Sequence, residues 1–200
     1  MQIKRSEIAA AVIIIGFIAA VIVLGVYPAL QSAPFDQCTA NVKNVGTAIG
    51  LYCGDYGGFM LRAENWTEVL APKYMDSLDP LSCPSAKPTA EQLARYQVEG
   101  AAKLPIGYAL HKPVAGINSA LLADPAKTPT LFDSSEYAPN ATADLTTLDF
   151  RHTGKVANVM FGDGHIATPT SAPTLPKPFL LKKPAPPHPE GASDQGHGEQ

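Results

Sequence analysis

Ile8-Ala-Ala-Ala-Val-Ile-Ile-Ile-Gly-Phe-Ile-Ala-Ala-Val-Ile-Val-Leu-Gly-Val-Tyr27, preceded by Lys4, Arg5 and Glu7, decides how the rest of the chain is read. These twenty residues carry no charge. As an α-helix rising about 1.5 Å per residue they would reach roughly 30 Å, the thickness of a bilayer's hydrocarbon core. The expectation is a retained membrane helix within residues 1–30, since a cleaved signal has a shorter apolar region of about 7–15 residues. Lys4 and Arg5 precede the run and the first charge beyond it is Asp36. That asymmetry predicts a single pass through the cytoplasmic membrane, with the N-terminus in the cytoplasm and the remainder in the periplasm or outside.

Beyond Pro28, where a bend is expected, Cys38, Val42, Val45, Ile49 and Tyr52 recur at steps of four and three. This is a helical apolar stripe, with Asn41, Lys43, Asn44 and Thr47 on the other faces. The helix is expected to run to about Cys53, before Gly54, Gly57 and Gly58. Asn65 to Leu70 reads as a short helix whose Trp66 anchors a core. Five stretches then look strand-like: Leu104 to His111, Thr130 to Asp133, Leu148 to Arg151, and the pair Val156 to Phe161 with His165 to Thr168. Gly162-Asp163-Gly164 makes that pair a hairpin. The fold class expected is α+β: a long N-terminal helix, half membrane and half amphipathic, packed on a small sheet of three to five antiparallel strands. Residues 31–168 form the head. Residues 169–200, rich in proline, form an extended tail whose Phe179-Leu-Leu181 is its one sticky spot, suited to docking on a neighbouring subunit.

A net charge of -3 with no basic stripe argues against nucleic acid as a partner. Of the three cysteines, Cys38 and Cys53 lie 15 residues apart on one expected helix, about 22 Å and beyond disulfide reach. Any bridge must use Cys83, with Cys38 as the candidate partner and Cys53 as the alternative. No CxxC or Cys/His spacing points to a zinc site. No nucleophile elbow, phosphate loop or HExxH is present, so no catalytic residue is assigned and no enzyme is expected.

The order of parts resembles type IV pilins and the pseudopilins of type II secretion, and more closely the bacterial pilin-like family with a C-terminal His-x9-Asp-Gly motif. The resemblance is carried by Tyr27 to Ser32, Cys38 to Tyr52, Cys83-Pro-Ser85 and, most specifically, Arg151 to His165. Here ten residues separate His152 from Asp163, one more than in the family motif, and no glycine precedes the apolar run. The resemblance implies a structural subunit that assembles with copies of itself or with other pilin-like subunits into a pilus or pseudopilus. Glu7 would take the part of the pilin glutamate that pairs with a neighbour's N-terminus. Small residues such as Gly16, Ala20 and Gly25 would let helix backbones approach closely. The alternative reading is a membrane-tethered binding module with a pilin-like head that does not polymerise.

In the motif, Asp163-Gly164 is first a turn signal, and His152 is expected to contact the hairpin it precedes. No cofactor is required. Calcium at Asp163 with loop carbonyls is the one weak metal candidate, raised by the calcium bound in some pseudopilins.

Overall fold

The computed structural model describes residues 5–94 and 106–180. The apolar run is helical, but it is not one α-helix. α1 covers Arg5–Val21, a π-helical segment covers Ile22–Val26, and α2 covers Tyr27–Asp55. Pro28 has no backbone N–H to offer the carbonyl of Leu24, so the α-helical ladder loses a bond there and a wider turn takes its place. The expected bend at Pro28 is therefore a change of helix type just before it. At 17 residues α1 is about 26 Å long, short of a bilayer core of roughly 30 Å. Among the described residues no helix is long and apolar enough to cross a membrane. This overturns the expected single-pass placement, with its cytoplasmic N-terminus and its head in the periplasm or outside.

The second half of α2 follows its sequence pattern. Cys38, Val42, Val45, Ile49 and Tyr52 are buried, while Lys43, Asn44 and Thr47 are exposed. Asn41 departs from the expectation and is also buried. Its amide donates to the Ser82 carbonyl at 2.7 Å and its oxygen accepts from Gln37 at 3.0 Å, which meets the need of a buried polar group for partners. α3, Trp66–Leu70, seats Trp66 as the expected anchor, fully buried with its indole N–H donating to the Ala141 carbonyl at 3.1 Å. α4 is a short helix at Ala90–Ala94.

Five strands follow: β1 Tyr108–His111, β2 Pro129–Asp133, β3 Thr142–Ala143, β4 Val159–Phe161 and β5 Ile166–Ala167. They form one sheet in the order β3-β1-β2-β4-β5. All neighbours are antiparallel except β1 and β3, which run parallel, so the sheet is mixed rather than antiparallel as expected. Leu104 and Pro105 of the first expected strand lie outside the described residues. Leu148 to Arg151 is not a strand; it lies beside the end of β2, with a bridge from Leu148 to Ser134 and the Asp149 N–H donating to the Asp133 carbonyl at 3.0 Å. The missed strand, β3, is too short to show a period of two.

Alternation sorts each strand onto two sides. Tyr108, Leu110, Leu131 and Met160 join the α2 stripe in the larger core. Ala109, Phe132, Val159 and Phe161 pack in a second cluster on the other face. The β4–β5 hairpin closes as expected, with Phe161 N–H donating to the His165 carbonyl at 2.9 Å and Gly164 holding φ +87°, a backbone that glycine adopts without strain. Beyond the hairpin, Phe179 packs half-buried on the chain's own core and Leu180 bridges to Leu122. Phe179 and Leu180 of the expected sticky spot therefore meet the chain's own head, while Leu181 lies outside the described residues. The rest of the expected tail, residues 181–200, lies outside the described residues.

Candidate functional site

β2 ends in a charge. Asp133 is fully buried where Thr130-Leu-Phe delivers it past the apolar face of the sheet. Two residues of the segment that follows β3 converge on it. His152 Nε2 lies 2.9 Å from Asp133 Oδ2, and Arg151 Nη2 lies 3.3 Å from Oδ1. The backbone N–H of Asn158 also donates to Oδ2, at 2.6 Å. A carboxylate with a guanidinium, an imidazole and an amide around it has the partners that a buried charge requires.

Arg151 is nearly as buried, at 5% side-chain exposure. Its Nη2 donates to the carbonyls of Gly107 and Ser134, and its Nη1 donates to the Tyr137 hydroxyl, which in turn donates to Asp149 at 3.0 Å. Gly107 has no room for a side chain. A Cβ there would stand 3.0 Å from the Cys83 Cβ and 3.3 Å from the Cys83 amide nitrogen. The absence of a side chain lets strand β1 begin against both the arginine and the cysteine.

The tautomer of His152 follows from its neighbours. A carboxylate oxygen and a ring nitrogen 2.9 Å apart need a proton between them, so Nε2–H donates to Asp133. In the neutral ring this leaves the lone pair on Nδ1, which is buried and has no hydrogen-bond partner. The Asn158 amide nitrogen approaches Nε2 at 3.1 Å, while its oxygen accepts from Thr39 of α2 at 2.9 Å. Phe35, also on α2, tilts against the imidazole with ring centroids 5.1 Å apart.

Beside this cluster lies the disulfide. It joins Cys38 of α2 to Cys83, with Cα atoms 5.0 Å apart, and leaves Cys53 as the free cysteine. Burial pushes the Cys53 thiol up to about 11, so it stays protonated and unreactive near neutral pH. The two bridged sulfurs and one ring nitrogen of His152 lie within 4.8 Å of one another, all three residues buried. Sequence spacing pointed to no Cys/His cluster, because the three ligands come from α2, from the loop after α3 and from the segment before β4.

The other expected site residues are elsewhere. Asp163 and His165 sit exposed in the hairpin turn, where Asp163 Oδ1 accepts from the His165 ring at 2.6 Å and from its amide at 3.1 Å. Burial would raise the Asp163 pKa, but these bonds outweigh it and hold the carboxyl below its usual range. The carboxylate named as a calcium candidate is thus engaged in its own turn, and His152 belongs to the buried cluster. Ala20 is exposed on the N-terminal helical segments, and nothing lies within 4 Å of a Cβ built at Gly16 or Gly25. Glu7 falls in α1, with its side chain outside the described residues. Sequence reasoning missed Asp133, Arg151 and Asn158. The signal that could have found Asp133 is a charge closing a short apolar run, Leu-Phe-Asp133, where burial forces a partner; Arg151, preceded by Asp149 and Phe150, carries no such signal.

Comparison with protein families, with curated proteins and with solved structures returns no match for this chain.

Proposed function

We propose that the chain is a structural, pilin-like subunit that assembles with copies of itself, or with related subunits, through the apolar surface of its N-terminal helical segments. The observation that carries this reading is the exposure of that surface. Val12, Ile13, Ile14, Ile15, Phe17, Val23 and Leu24 are 58–79% exposed, in segments with no polar residue between Val12 and Val26. A helix that is apolar on all sides must be covered by something. The following helix, α2, is half buried in the head, so the same chain offers a sticky rod and a folded body. Assembly would place the rods together and the heads around them.

Gly16 and Ala20 supply close approach in this reading. Gly16→Leu and Ala20→Leu should reduce the fraction of protein in filaments or cross-linked oligomers, as seen by negative-stain electron microscopy and sedimentation. The melting temperature of the head should not move. Filaments that persist unchanged in both variants would refute the packing account.

A further inference from the structure

We propose that Cys38, Cys83 and His152 form a Zn2+ site when the Cys38–Cys83 disulfide is reduced. The ligand atoms are already gathered, within 4.8 Å of one another and sealed from water. In a tetrahedral zinc site, with sulfur at about 2.3 Å and imidazole nitrogen at about 2.0–2.1 Å from the ion, the ligand atoms stand roughly 3.5–3.8 Å apart, so on reduction the two sulfurs part from bonding distance while the ring nitrogen, already within 4.8 Å, closes in. The histidine is prepared for the task. Asp133 holds the Nε2 proton, which fixes the tautomer and leaves Nδ1 with a buried lone pair and no partner. Metal-bound histidines characteristically donate their second N–H to a carboxylate in this way. An orphaned buried nitrogen is costly, and a cation at Nδ1 satisfies it.

The steps balance. A dithiol reductant gives two electrons and two protons, becoming a disulfide itself, and leaves Cys38 and Cys83 as two thiols. Zn2+ then forms two Zn–S bonds and one Zn–N bond, and both thiol protons leave to solvent. Three protein ligands leave the fourth position of the tetrahedron to a water admitted when the disulfide opens. Two thiolates neutralise the ion, so the interior gains no net charge, which is the condition for burying a cation there. Because two protons are released, affinity should fall as pH falls. The disulfide and the zinc site are mutually exclusive states of one cradle.

The test uses the full chain carrying Cys53→Ser, so that the third cysteine contributes no thiolate. After anaerobic reduction, Zn2+ is added and counted by elemental analysis after gel filtration, beside the oxidised protein. One Zn2+ per reduced chain and none per oxidised chain is expected. Co2+ in place of Zn2+ should give sulfur-to-cobalt charge-transfer absorption in the reduced form alone. His152→Gln should lower Zn2+ affinity by at least about tenfold, the scale seen when a ligand's environment is altered. In case that variant does not fold, 15N NMR of the imidazoles with 113Cd2+ bound to the reduced Cys53→Ser chain should show coupling at His152 Nδ1 and none at Nε2. A reduced chain that folds only with Zn2+ would also support the site. Failure of the reduced chain to bind Zn2+, equal binding in both redox states, absence of Nδ1 coupling, or loss of fold with and without Zn2+ would each overturn it.

Discussion

His111, at the end of β1, shows how one buried side chain makes stability depend on pH. It is 1% exposed, and its Nδ1–H donates to the Pro129 carbonyl at 2.9 Å. Burial depresses its pKa, with the Pro129 bond and the Asp144 carboxylate opposing. Its pKa when unfolded is about 6.5. The unfolded chain therefore takes up the proton first, and stability from this residue is intact above about pH 6.5 and is lost as pH falls through the depressed folded pKa. Urea midpoints measured from pH 7.5 down to 5 should fall, and His111→Gln should flatten that part of the profile. Asp133 is the other decisive residue. It partners Arg151, His152 and the Asn158 amide in the interior. Removing one side of a buried ionic cluster leaves the other uncompensated, so Asp133→Ala should destabilise by about 3–5 kcal/mol in denaturant unfolding. A loss below about 1 kcal/mol would mean that the cluster is far wetter than its burial indicates.

At the scale of elements, the disulfide ties α2 to the loop that follows the single-turn 3₁₀ helix Asp79–Leu81. It closes a loop of 45 residues in sequence separation, for which chain entropy alone gives a stabilisation of about 4 kcal/mol. Reduction in the presence of a chelator should lower the denaturation midpoint by a corresponding amount, read by circular dichroism. The α2 stripe keeps its partners in β1, β2 and β4 in either state, so the transition should remain cooperative. The expected amphipathic helix and the β4–β5 hairpin were legible in the chain, because a stripe at four-three spacing and a Gly-Asp-Gly turn act over neighbouring residues. β3 and its parallel pairing were not, since a two-residue strand has no pattern and its register comes from β1 alone.

Across the whole molecule, an apolar helical start and a two-sided head are joined through α2, and their fates under mutation should separate. Leucine at position 16 or 20 meets open space within the chain, which is why assembly can respond while the head's melting temperature stays fixed. The uncharged run from Ile8 to Tyr27 was legible as helix but not as a membrane span. Counting apolar residues does not register a missing N–H at Pro28, and the π segment leaves α1 short. By itself, then, the sequence determined what depends on near neighbours: the helical start, the buried stripe from Cys38 to Tyr52, the Trp66 anchor and the closing hairpin. Only the tertiary structure decided where Phe179 docks, that the sheet is mixed, and that Cys38, Cys83, Asp133, Arg151 and His152 share one dry cluster. Apart from the adjacent Arg151 and His152, those residues stand 18 or more positions apart. Nothing local in the chain brings them together, and only the packing of α2 against the end of the sheet makes an interior where their charges and lone pairs must find one another.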